Sequence, residues 1–175
     1  MLTIILASSS PARKKQLSQL GIDFEVISPD IDETPLPNEK ADDMVLRLAK
    51  EKAQKVAKDY PGSWVIGCDQ VAEFENIVYG KPYGHEKALK VLAAFSGNTV
   101  VSKTGICLMN LAQEKCFTAI EPYSVTFRAY SREQADQYLK IEKPYYSAGS
   151  INVDGLGVSL VSAYHGRDYN SLIGL

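Results

Sequence analysis

"LTIILASSSPARKKQLSQLG", residues 2–21, decides how the rest of the chain is read. Residues 2–7 are a continuous run, apolar but for Thr3, the pattern of a strand covered on both faces. The pattern then changes within three residues. Ser10 suits an N-cap, Pro11 takes the first helical position, and Gly21 stands just past the end of the helix. A buried strand that turns straight into a helix is the opening of an α/β fold. Such a turn gathers free backbone N–H groups at the positive end of a helix dipole, a setting that attracts anions. Ser8 adds a hydroxyl donor. Arg13 adds a fixed charge in the first turn, where a cation is unwelcome unless an anion intervenes. Ordinary capping by Ser10 and Pro11 explains the turn equally well without a ligand. The glycines and lysine of a P-loop are absent.

Reading outward, residues 24–28 form a second short strand, followed by the Pro-rich acidic loop "PDIDETPLPNEK" at 29–40. Its prolines forbid regular structure, so Asp30, Asp32 and Glu33 sit on a stiffened connection. Residues 42–59 carry the helical stripe Val45, Leu48, Ala49, Ala53 and Val56. Lys52 falls inside that stripe. Such a lysine ordinarily runs its stem along apolar surface and keeps its head in water; in a cleft it is a desolvated cation seeking phosphate or carboxylate.

"WVIGC" at 64–68 is a compact strand running into Asp69 and Gln70, at the carboxyl end where open α/β sheets place ligands. A turn-forming aspartate is the plainer reading of Asp69. A hairpin with Glu75 and Asn76 at its tip closes at "YGKP", which sets Lys81 between a flexible and a rigid residue. A helix at 85–95, antiparallel strands at 99–110 and 115–128, and a helix at 132–141 follow. The glycine-punctuated "SAGSINVDGLGVSLV" at 147–161 then leads into a last strand, and "GRDYNSLIGL" ends the chain. The expected architecture is α/β: a mixed twisted sheet with helices on both faces and a second, smaller lobe. The cleft between the lobes is the natural place for an active site.

Composition narrows the chemistry. The chain has 175 residues, 45% hydrophobic and 23% charged, with a formal net charge of −2. These values suit one soluble globular domain and give no general attraction to nucleic acid or an anionic membrane. A polyanion must therefore be met by locally placed cations. The cysteines, Cys68, Cys107 and Cys116, are odd in number and lack CxxC spacing, which fits a reducing cytosol. The N-terminal apolar run is too short for a signal peptide or a membrane span. No zinc spacing and no Ser/His/Asp or Cys/His set stands out. His85 and His165 read as surface residues at element ends, and "GLG" at 155–157 lacks the rest of a dinucleotide fingerprint.

Taken in order, "LASSSPAR", "DIDETP", "RLAKEKA", "GCDQV" followed by "GKP", "SAGS…DGLG" and "GRDYNSLIGL" resemble the Maf family of nucleoside triphosphate pyrophosphatases. The match runs in register over essentially the whole chain. "DQ" at 69–70, in place of the "DT" of the dTTP/UTP-cleaving branch, resembles the 7-methyl-GTP branch. The resemblance implies a fold like that of inosine triphosphate pyrophosphatases and hydrolysis of a nucleoside triphosphate to the monophosphate and pyrophosphate, with Mg²⁺ or Mn²⁺ as cofactor. The role is removal of a modified nucleotide before it enters nucleic acid.

By position, Asp69 matches the catalytic proton acceptor, and Ser8, Arg13, Lys52 and Lys81 match phosphate-binding residues. Glu33 helps Asp69 hold the metal, while Ala12, Gln70 and Asp154 fall at positions tied to substrate choice. Relatives in this branch often carry an aromatic residue where this chain has Ala12. The family also usually continues past "NSLIGLP" with an apolar C-terminal helix. The implied organisation is a single domain of two lobes over 1–175 without that helix, with lower stability or a partner in compensation. The implied protein is cytoplasmic, meets a nucleoside triphosphate rather than nucleic acid or membrane, and is compatible with a homodimer. The alternatives are dTTP/UTP or another nucleotide as substrate, or a nucleotide-binding regulator of septum formation and cell division that does not turn over.

Overall fold

The structure, a computed structural model, describes residues 3–175; Leu2, the first residue of the expected strand, lies outside them. The chain forms β1 (Ile4–Ala7), α1 (Pro11–Ser18), β2 (Glu25–Ile27), α2 (Ala41–Ala57), β3 (Trp64–Phe74), β4 (Ile77–Tyr79) and α3 (His85–Phe95). It continues with β5 (Thr99–Asn110), β6 (Lys115–Phe127), α4 (Arg132–Glu142), β7 (Val161–Gly166) and α5 (Tyr169–Ile173). Among the described residues, seven strands make one mixed sheet in the order β2-β1-β3-β5-β6-β7, with β4 paired to β3. β1 lies parallel to both β2 and β3, whereas β4 runs antiparallel to β3 and β7 antiparallel to β6. The α/β class expected from the alternation of strand and helix is therefore the one observed.

The chain divides into two compact units of similar length. The first runs to Asp69 and takes in Thr104–Glu121 and Gly174–Leu175; the second comprises Gln70–Lys103 and Pro122–Ile173. β3, β5 and β6 each contribute a segment to both.

In the first unit the apolar stripe of α2 supplies the core. Ala49, Ala53, Val56 and Ala57 pack with Ile5 and Ala7 of β1, Val65 of β3, and Cys107 and Met109 of β5. The helix lies unusually close to the strands beneath it. A Cβ on Gly67 would sit 2.1 Å from the Ala49 carbonyl oxygen and 2.7 Å from the Ala53 nitrogen, and one on Gly105 would sit 2.5 Å from the Val45 carbonyl oxygen. These two glycines allow backbone to touch backbone. Gly67→Ala is accordingly expected to cost about 3 kcal/mol, the upper end of overpacking in a core, read as a lowered urea midpoint at unchanged slope.

One boundary differs from expectation. β3 does not stop at Cys68 but runs on to Phe74. Its parallel ladder with β1 ends at the pair Ala7↔Gly67, and an antiparallel ladder with β4 begins at Ala72↔Tyr79. The continuing apolar positions Val71 and Ala72 carry the strand between the two. Asp69 therefore lies inside a long strand, just past the carboxyl end of its parallel segment.

The core of the second unit centres on Phe95, which meets the rings of Phe74, Tyr79 and Phe127 at centroid distances of 6.2, 5.0 and 5.4 Å. Leu92, Leu139 and Leu160 complete it. α4 begins with a capping box, in which the Ser131 hydroxyl accepts from the Gln134 N–H and the Gln134 side chain from the Ser131 N–H. The glycine-punctuated stretch forms two short 3₁₀ turns, Ala148–Ser150 and Leu156–Leu160.

Candidate active site

Where β1 ends, Ser8 is buried and its Oγ accepts from the Ser10 N–H at 3.1 Å. Ser10 in turn caps α1, its Oγ accepting from the Arg13 N–H at 3.4 Å. The capping reading of this turn thus holds. Ala12 is exposed beside it. Arg13 has partners that no sequence pattern signalled: Nε donates to the Gly174 carbonyl at 2.7 Å and Nη1 to the Cys68 carbonyl at 2.9 Å. Two fixed carbonyls account for a cation in the first turn of a helix, and they hold the guanidinium next to the residue that precedes Asp69.

Lys52 does not reach for solvent. It is 4% exposed, and its Nζ donates to Asp69 Oδ1 at 2.6 Å and to Glu33 Oε1 at 2.7 Å. One ammonium from α2 thus joins a carboxylate from β3 to a carboxylate from the acidic loop. Asp69 is 6% exposed, and burial pushes its carboxyl above the ordinary 3.8, against the opposing pull of Lys52 and then of Arg13. Desolvation wins over pairing here. The Cys68 thiol beside it is likewise pushed up, to about 11, by burial.

The loop that presents Glu33 is itself anchored by a residue assigned no function from the sequence. Arg47 grips Glu39 through two nitrogens, Nε at 2.6 Å and Nη2 at 2.7 Å, and also donates to the Thr34 carbonyl at 3.3 Å and to Glu51 at 3.1 Å. This pairing holds the Glu39 carboxyl below its usual range and raises the Arg47 guanidinium. The i+4 spacing of Arg47 and Glu51 was visible in the sequence; the bidentate grip on Glu39 was not. Asp32, the neighbour of Glu33 on the loop, is exposed and accepts from Thr34 N–H at 2.9 Å and Thr34 Oγ1 at 2.6 Å, which lowers its carboxyl. It shapes the loop.

The remaining candidates belong to the second unit. Gln70 follows Asp69 in the chain, and its Nε2 donates to the carbonyls of Ser171 and Leu172, both at 2.9 Å. Lys81 is exposed on the connection between β4 and α3, whose backbone is fixed by Tyr83 N–H to the Tyr145 carbonyl at 2.9 Å and Gly149 N–H to the Gly80 carbonyl at 3.2 Å. Asp154 is exposed and its Oδ1 accepts from Tyr169 OH at 3.3 Å. His85 is more than a surface residue: its Nε2 is 2.8 Å from Asp136 Oδ1 and its Nδ1 is 3.0 Å from Tyr145 OH. The structure thus brings Glu33, Lys52 and Asp69 into direct contact, with Arg13 tied to the strand one residue away.

This donor set can be tested against the divalent cation that the resemblance implies. Among the described residues no three His, Cys, Asp or Glu side chains converge as a ready-made metal centre. Mg²⁺, however, takes one or two carboxylates and completes its shell with substrate phosphates and water. Glu33 and Asp69 already converge on one positive charge, the Lys52 ammonium. Two carboxylates of this kind are the donor type such an ion takes, although the point on which they converge is held here by the ammonium itself.

The fold is shared with the Staphylococcus aureus Ham1 protein, which superposes at a TM-score of 0.51 over 71% of each chain with 17% sequence identity. Within that architecture the chain belongs to the Maf-like protein family, whose model matches residues 3–175. Relatives include the 7-methyl-GTP pyrophosphatase of Nitrosococcus oceani, 47% identical over 99% of this chain and 87% of the relative. The proteins of the same name from Methylobacillus flagellatus and Pseudomonas syringae are 42% and 43% identical, over 98% and 100% of this chain and 90% and 91% of theirs.

Proposed function

We propose that this chain is a nucleoside triphosphate pyrophosphatase that cleaves 7-methyl-GTP to 7-methyl-GMP and pyrophosphate and so keeps the modified nucleotide out of nucleic acid. The observation that carries the chemistry is the Glu33–Lys52–Asp69 cluster, in a chain 42–47% identical to several relatives of that name.

Attack of water on the α-phosphorus builds negative charge on the phosphoryl oxygens, and catalysis consists of meeting that charge and removing a proton. Asp69 is the proton acceptor. A carboxylate whose pKa is raised by burial is a better base than an exposed one. Lys52 is assigned to phosphate with Arg13, and at 2.6 Å its ammonium also fixes the orientation of the Asp69 carboxylate. Glu33 and Asp69 would hold the divalent cation, Mg²⁺ or Mn²⁺, whose charge polarises the phosphoryl oxygens. Arg13, its guanidinium held by two carbonyls, and Ser8 are assigned to phosphate, as is Lys81 from the second unit.

The choice of nucleotide is assigned to Ala12, Gln70 and Asp154. The purine of 7-methyl-GTP is cationic, and the exposed Asp154 carboxylate suits both its charge and the donors on the guanine edge. Gln70 has its amide N–H₂ on the Ser171 and Leu172 carbonyls, which fixes the position of its side chain.

The test is a pyrophosphate-release screen over normal and modified triphosphates with Mg²⁺ or Mn²⁺. The expected result is highest kcat/KM for 7-methyl-GTP. Preference for dTTP or UTP would reassign the branch, and nucleotide binding without release would mark a non-catalytic regulator. Asp154→Ala is expected to cut the preference for 7-methyl-GTP over GTP about tenfold, the worth of one charge-assisted contact. An unchanged ratio would remove Asp154 from base recognition.

A further inference from the structure

Two cysteines outside the candidate site face each other. Cys107 on β5 and Cys116 on β6, both in the first unit, have their sulfurs 3.7 Å apart with no bond between them. Their surroundings are unequal. Cys107 is fully buried in the cluster that packs α2 onto the sheet, whereas Cys116 is exposed. The third cysteine, Cys68, is also fully buried and is not paired with either.

We propose that Cys107 and Cys116 are an oxidant-reactive thiol pair, a modification site that takes peroxide and closes to a reversible intramolecular disulfide. The geometry sets the order of events. Peroxide can reach only the exposed sulfur, so Cys116 attacks the O–O bond, giving the sulfenic acid and one water. The Cys107 sulfur then attacks the Cys116 sulfur, forming the S–S bond and expelling the sulfenic oxygen as a second water. In sum two thiols lose two protons and two electrons, and one hydrogen peroxide becomes two waters.

Side-chain rotation is what must bring the sulfurs from 3.7 Å to bonding distance, about 2 Å. Burial and the neighbouring Cys116 sulfur push the Cys107 thiol up to about 12, which disfavours the inner sulfur as the first to attack peroxide. Cys107 belongs to the same buried cluster as Ala49 and Ala53, the residues flanking the Lys52 turn. The bond would therefore form at the edge of the core on which the helix carrying Lys52 is packed.

The experiment treats the whole chain with a modest excess of hydrogen peroxide, quenches it, and counts thiols with Ellman's reagent in denaturant. The expected count falls from three to one, the intact mass drops by two hydrogens with no dimer on a non-reducing gel, and a Cys107–Cys116 peptide is recovered. Dithiothreitol should restore all three thiols. Cys116→Ser, an exposed and conservative change, should leave two thiols after the same treatment, with no internal crosslink. The inference is overturned if wild type keeps Cys107 free while Cys116 forms intermolecular disulfides or over-oxidises, or if no thiol is lost. Because the readout is thiol chemistry, it stands or falls independently of nucleotide turnover.

Discussion

Asp69→Asn is expected to lower kcat for pyrophosphate release by about a thousandfold, within the range lost when a general base is removed, while leaving the protein at least as stable as wild type at pH 7. The second half follows from the sign of the Asp69 shift. Its pKa is raised on folding, chiefly by burial, so the ionised carboxylate costs the folded state free energy at neutral pH. That cost is fully present above the folded pKa. It fades as pH falls through that value and is gone below the unfolded value near 3.8. The asparagine has no charge to desolvate, and Lys52 keeps Glu33 as a partner at 2.7 Å. Melting temperatures of the two proteins should thus converge as the pH is lowered toward 4. A variant that melts well below wild type at pH 7 would mean that Asp69 serves the fold before it serves the reaction.

Lys52→Met should do the opposite to stability. Methionine fills the volume of the lysine stem but removes the one charge on which two carboxylates converge. Breaking a buried ion pair by deleting one partner costs about 3–5 kcal/mol. The lower end applies here, about 3 kcal/mol, because the Glu33 side chain is 38% exposed and can turn to water. Activity should fall at least a hundredfold, since Asp69 loses its orienting contact. The stability loss should shrink in acid, where Asp69 takes up a proton and no longer needs a cation. Urea denaturation at pH 8 and pH 5 checks this. Adding Asp69→Asn to the variant should restore much of the lost stability, because the two changes remove one interaction between them. Equal losses at both pH values, with no recovery in the double variant, would show that Lys52 acts through packing alone.

The difference between these variants bears on how much could be read before the fold was known. The strand–turn–helix opening, the stripe of α2 and the capping of α1 by Ser10 follow from local periodicity and cap chemistry, and the structure has them all. Lys52 was conspicuous for the same local reason: a cation in an apolar stripe. What periodicity could not supply was the direction of its ammonium, which depends on two carboxylates 17 and 19 residues away along the chain. The anchoring of Arg13 was harder still. Its partners are backbone carbonyls, and a carbonyl at Gly174 leaves no trace in residue type. The misplaced end of β3 has a related cause. A strand that changes partners between Gly67 and Ala72 looks from the sequence like a strand that stops. Asp32 and Glu33 are adjacent and equally acidic, and only Thr34, by claiming Asp32, separates their fates.

The glycines under α2 have a consequence for tolerance to change. Side-chain packing is elastic: a lost methylene is partly absorbed by rotamer shifts and small movements of neighbours. At Gly67 there is nothing to rotate, because the Ala49 carbonyl and the Ala53 nitrogen come to the strand without an intervening side chain. Those two residues bracket Lys52. The helix is seated against the strand as a part is seated against a stop, so the root of the Lys52 side chain is located by rigid backbone. Substitutions elsewhere along the α2 stripe can loosen the core while leaving the ammonium in register. A single methyl group at position 67 would lift the helix, and with it the charge that holds Glu33 and Asp69 together.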